Sequence, residues 1–218
     1  MRGTNLTRDV PLLPGRSALL VIDVQNFCCH ASGGMFAGCT PAARETRFGY
    51  YERQLQTVAV PNMQRAIAAC RARGVEVIYT TIEALTADGR DQSLDYKISG
   101  ILVPKGSWEA RVIAEIAPAA DEIFLPKTAS SVFNATNVEY VLRNLGVERL
   151  AIMGVVTDQC VESAVRDACD RGFLVTLVTD ACATLSQERH DASLRAIKGY
   201  CRQVATAALV AELSGKGG

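Results

Sequence analysis

Apolar residues cluster in short blocks along this chain. Runs rich in Val, Ile and Leu occupy residues 17–23, 75–81, 122–125, 149–155 and 173–179, with a weaker one at 203–206. Between them, residues 58–73, 108–116, 137–145, 160–171 and 187–198 carry apolar positions at helical spacing. The runs lack strict alternation, as strands covered on both faces do, and Gly74, Gly146 and Gly172 each precede a run, where a left-handed helix end favours glycine. This β/α alternation predicts an α/β protein with a doubly wound parallel sheet. Ligands of such sheets bind outside the carboxyl ends of the strands, so the residues that follow each run are the ones to question.

Two stretches break the alternation. Residues 26–56 and 84–105 are longer than a usual βα connection, and both are expected to be lids or specificity loops, or equally surface loops and oligomer contacts.

Composition narrows the class. The 218 residues, 49% of them apolar, suit one domain spanning 1–218. A net charge of zero with dispersed basic residues argues against nucleic acid or an anionic membrane surface as partner and for a small molecule. No apolar run approaches about 18 residues and the first ten residues hold no apolar leader core, so a cytoplasmic protein without membrane spans is expected. Of the eight cysteines, Cys70, Cys169, Cys182 and Cys201 fall in apolar-periodic segments as small core residues would. No Cys-x-x-Cys pair occurs and the only histidines are His30 and His190, so neither a disulfide framework nor a metal site is expected, and no cofactor.

Three reactive side chains stand at run ends. Asp23 closes the first run, Lys127 follows the third, and Cys160 lies where the fourth turns into a helical pattern. Each has an ordinary reading alone: a turn-capping carboxylate, a solvated lysine, a small buried thiol. Together they converge on one edge of one sheet. The helix start favours thiolate at Cys160, Lys127 adds a positive charge, and Asp23 can take the thiol proton as general base. The backbone N–H groups of Val156 and Cys160 would receive an oxyanion. A thiol redox centre has less support, since Cys169 lies nine residues on and faces another way.

The segments Val21-Ile-Asp-Val-Gln-Asn, Pro126-Lys-Thr-Ala-Ser-Ser-Val-Phe and Gly154-Val-Val-Thr-Asp-Gln-Cys-Val, in this order, resemble the isochorismatase-like cysteine hydrolases over about residues 17–208. The resemblance implies a Rossmann-like α/β/α sandwich with six mainly parallel strands, an Asp23, Lys127, Cys160 triad, and a cis peptide at Val155-Val156. It also implies assembly into homodimers or homotetramers. Nicotinamidases of this family carry an Asp and His metal pair after the second strand, where this chain has Tyr79-Thr-Thr-Ile-Glu, and isochorismatases often lack the cysteine. The 83–97 loop is similar to that of ureido amidohydrolases. The implied activity is therefore hydrolysis of a linear C–N bond in a ureido or carbamoyl compound of the ureidoacrylate, biuret or triuret type, through a thioester. N-carbamoyl amino acid amidase, nicotinamidase, isochorismatase and non-catalytic binding remain the alternatives. For such a substrate, Glu83 is expected to accept urea N–H groups, Asn26 and Gln159 to read carbonyl or amide edges, Arg90, Tyr96 and Lys97 to hold a distal polar end, and Phe27 and Phe133 to wall the pocket.

Overall fold

The computed structural model describes residues 6–215. The expectations for the extreme ends of the chain, residues 1–5 and 216–218, lie outside it.

Six strands form one sheet: β1 Ser17–Ile22, β2 Glu76–Ile82, β3 Ile123–Lys127, β4 Arg149–Val155, β5 Leu174–Ala183 and β6 Arg202–Val204, in the order β3-β2-β1-β4-β5-β6. Every neighbouring pair is parallel. A strand buried on both faces is mostly apolar, and Ser17–Ile22, polar only at Ser17, is buried at every position. The order reverses between β1 and β4, which makes the crevice beyond their carboxyl ends the place where a ligand is received.

The helices are α1 Asn26–Cys29, α2 Pro41–Gln54, α3 Val60–Ala72, α4 Leu94–Ile98, α5 Val132–Ala135, α6 Val138–Asn144, α7 Glu162–Asp170, α8 Gln187–Ile197 and α9 Thr206–Leu213. They flank the sheet in an α/β/α sandwich: α3 packs on α9, β2 and β5, while α7 packs on α5, α8, β4 and β5. No helix among the described residues is long and apolar enough to cross a membrane.

Three elements differ from the sequence expectation. Residues 108–116 are not a helix but two short 3-10 turns, Trp108–Ala110 and Ala114–Ile116. Their backbone is used elsewhere: Asn26 N donates to Arg111 O at 2.9 Å and Ile113 N to Val24 O at 3.1 Å, so this segment braces the chain leaving β1. Residues 26–56 contain α2, begun by Thr40, whose Oγ1 accepts from Ala43 N at 3.2 Å, and by Pro41 in the first turn. A π turn at Leu55–Ala59 joins α2 to α3. Finally, α9 follows the short β6 and buries Leu209 and Leu213.

Candidate active site

Each of the three reactive side chains owes its place to the strand before it. Asp23 leaves β1 with φ +56, the only non-glycine among the described residues in the left-handed region; aspartate tolerates this better than most residues. Its N–H donates to Thr80 O at 3.0 Å and its Oδ1 accepts from Thr80 Oγ1 at 3.0 Å, which turns the carboxylate across β2. Gln25 locks the same exit, donating to Ile82 O at 2.8 Å and accepting from Ile82 N at 2.6 Å. Neither Thr80 nor Gln25 was singled out from the sequence; the signal available was a polar residue within or just after an apolar strand.

Lys127 ends β3 and is fully buried. Its ammonium lies 2.8 Å from Asp23 Oδ2 and donates to Tyr96 OH at 3.0 Å, Ala129 O at 2.9 Å and Cys160 Sγ at 3.4 Å. The Asp23 contact is close yet lacks hydrogen-bond alignment, so Oδ2 accepts no hydrogen bond among the described residues. Burial is the largest single influence on Lys127 and opposes its charge, but Asp23, Cys160 and Tyr96 acting together exceed it, and the ammonium is held above its usual range.

Cys160 sits in the Thr157–Val161 turn that leads into α7. The approach to it requires glycine: Gly154 has φ +132, and a Cβ there would fall 2.1 Å from Ile22 O. The Val155-Val156 peptide is cis. The turn is held from α8, since Arg189 Nη2 lies 2.5 Å from Asp158 Oδ2 and Thr157 Oγ1 is 3.0 Å from His190 Nδ1. Burial, opposed by Lys127, pushes the Cys160 thiol up to about 11. Desolvation thus works against the thiolate while the Lys127 ammonium works for it, which gives a base beside the sulfur a purpose.

A cavity of about 760 Å³ opens above these groups. Asp23, Tyr96, Val156 and Cys160 border it, with Phe27, Met35, Phe48, Ile82, Ile101 and Leu185 as apolar wall and Arg47, Asp95, Ser99, Ser130, Gln159 and Ser163 as polar rim. Of the residues expected to hold a substrate, Phe27, Tyr96 and Gln159 line it, with the Tyr96 hydroxyl 4.0 Å from Cys160 Sγ. The others do not. Asn26 donates to Trp108 O at 2.9 Å, Glu83 accepts from Gly106 N at 2.7 Å, Arg90 pairs with Asp88 at 3.0 Å, and Lys97 donates to Arg90 O at 2.8 Å. Phe133 packs on Phe173, ring centroids 6.1 Å apart. In each case the side chain is engaged by another partner, and none lines the cavity. Arg47, on α2, is the basic residue that does line it, and no sequence signal marks it because it falls in the 26–56 stretch that breaks the β/α alternation.

Fold and site together define a cysteine hydrolase. The chain belongs to the isochorismatase family: the Isochorismatase domain matches residues 17–208. Among curated relatives, the ureidoacrylate amidohydrolase of Rhizobium rhizogenes is 29% identical over 79% of this chain and 72% of its own length, and that of Acinetobacter baylyi is 28% identical over 88% and 80%. Among solved structures, a cysteine hydrolase from Pseudomonas syringae superposes with TM-score 0.80 at 25% identity, covering 95% of this chain and 96% of that one. N-carbamoylsarcosine amidase from Thermoplasma acidophilum gives 0.66 at 26%, covering 88% and 96%.

Proposed function

We propose that this protein is a cysteine amidohydrolase that cleaves a linear C–N bond in a small ureido or carbamoyl acid through a thioester on Cys160. The observation that carries the reading is the buried cluster in which Lys127 Nζ stands 2.8 Å from Asp23 and 3.4 Å from Cys160, at the floor of the cavity.

The steps follow from the atoms present. Asp23 Oδ2, buried and free to accept, takes the thiol proton, while Lys127 stabilises the thiolate so formed. Sulfur attacks the carbonyl carbon, and the N–H groups of Val156 and Cys160 receive the oxyanion. Collapse breaks the C–N bond as Asp23 returns its proton to the leaving nitrogen. Water, deprotonated by Asp23, then hydrolyses the thioester, and the proton goes back to sulfur.

Arg47 supports an acidic substrate. On the same helix Arg44 pairs with Glu52 at 2.5 Å and Arg53 with Glu45 at 2.6 Å, whereas Arg47 has no carboxylate partner among the described residues and faces the cavity. A guanidinium so placed suits a carboxylate at the far end of the substrate. The ureidoacrylate and N-carbamoylsarcosine named for the relatives are compounds of this kind.

The test is ammonia release across 3-ureidopropionate, ureidoacrylate, N-carbamoyl amino acids, biuret, triuret, nicotinamide and maleamate, with Cys160→Ser as control. Turnover of ureido acids that vanishes in the control supports the reading. Preference for nicotinamide, or turnover that survives the substitution, overturns it.

A further inference from the structure

We propose that Tyr96 is a fourth catalytic residue, a phenol that donates a hydrogen bond to the Cys160 sulfur as it becomes thiolate, and that it ties formation of the nucleophile to the 84–105 segment that shapes the pocket. This rests on the reading of Cys160 as nucleophile.

Tyr96 is fully buried, with its hydroxyl 3.0 Å from Lys127 Nζ and 4.0 Å from Cys160 Sγ. An ammonium only donates, so the phenol oxygen accepts from Lys127, and the one phenol hydrogen is left to point elsewhere. The acceptor in contact with it is Sγ. While sulfur keeps its proton this bond is weak, because a thiol is a poor acceptor. Once Asp23 has taken that proton, sulfur is a largely buried anion, and O–H donation to it becomes a charge-assisted bond. The phenol keeps its own proton throughout: burial holds its ionisation well above the usual range. When sulfur bonds to carbon the charge leaves it and the bond relaxes, so Tyr96 favours the thiolate state over both thiol and thioester.

The placement is built. Ser93 N donates to Thr128 O at 2.9 Å, beside Lys127, and Ser93 Oγ accepts from Tyr96 N at 3.3 Å at the start of α4. Ile101 N closes on Tyr96 O at 2.9 Å. The tyrosine ring packs with Ile82, Val103 and Ala110 in a cluster separate from the main core. Ser99, Gly100 and Ile101, just after Tyr96, line the cavity. One short segment thus supplies both pocket wall and thiolate partner, so a substrate that seats that wall also seats the phenol.

The experiment measures Cys160 alkylation by iodoacetamide against pH, read by peptide mass, in the wild type, Tyr96→Phe and a protein carrying 3,5-difluorotyrosine at position 96. Loss of a hydrogen bond to a charged sulfur is worth about tenfold. Tyr96→Phe is expected to move the alkylation midpoint up by about one pH unit and to lower kcat on 3-ureidopropionate about tenfold with KM little changed. The fluorinated phenol, a stronger donor of the same shape, is expected to move the midpoint down, which separates donation from packing should the Phe variant fold poorly. Superimposable profiles in all three proteins overturn the role of Tyr96. Retained turnover in Cys160→Ser would instead overturn the nucleophile itself.

Discussion

Lys127 and Asp23 form a buried ion pair at 2.8 Å although their strands are not neighbours: β3 and β1 are separated by β2, and the contact crosses over it. Thr80 of that intervening strand holds the other carboxylate oxygen at 3.0 Å. A fully buried charge pair stands or falls as a unit.

Removing one partner is therefore costly. Asp23→Asn or Lys127→Met leaves a buried charge uncompensated and is expected to lower unfolding free energy by about 3 to 5 kcal/mol in urea denaturation. The double variant should lose less than the sum of the two. Strict additivity would show that the groups do not interact.

Cys160→Ser exchanges the sulfur for a much less acidic hydroxyl at nearly the same volume. Turnover is expected to fall by at least about 1,000-fold in the ammonia assay. The urea midpoint should stay close to that of the wild type, which separates chemistry from folding.

Arg47→Gln removes the guanidinium without emptying the cavity. KM for 3-ureidopropionate is expected to rise about tenfold, and that for biuret, which has no carboxylate, to change less than about twofold. Equal effects on both would place Arg47 outside carboxylate recognition.

Stability should fall in alkali. Burial pushes Cys160 and Cys201 to about 11 and Cys70 and Cys182 to about 12, from an ordinary 9.0. The folded state binds these protons more tightly than the unfolded chain, so their contribution is whole below about pH 9 and is lost as pH rises from 9 through 11 and 12. Each thiol adds up to about 1.4 kcal/mol of loss per pH unit inside that window. Urea midpoints are expected to be level from pH 7 to 8 and to drop by pH 10; a level midpoint at pH 10 contradicts this.

The site was unevenly legible. Asp23, Lys127 and Cys160 could be read because each interrupts or follows an apolar run, and a strand end on a parallel sheet has a known side. The residues around the substrate could not. Arg90 and Lys97 are polar, charged and near the right strand, yet a neighbouring carboxylate and a backbone carbonyl hold them outside. Arg47 enters the cavity from a helix more than seventy positions before Lys127, a proximity no local pattern encodes. The segment at 108–116 misled for the same reason: its helical spacing is outweighed by hydrogen bonds to Val24 and Asn26, far away in sequence.

By itself the sequence determined what is local and repetitive: six strands, the central ones buried, the helices whose apolar spacing carried through, and which reactive side chains stand at strand ends. These follow from periodicity and burial, which act residue by residue. Only the tertiary structure decided what depends on distance between remote segments: that the Cys160 thiol is buried and its ionisation pushed up, that Tyr96 faces its sulfur, and that Arg47 lines the cavity. Desolvation and side-chain contact are properties of the packed molecule, and they exist only once the sheet order has been formed.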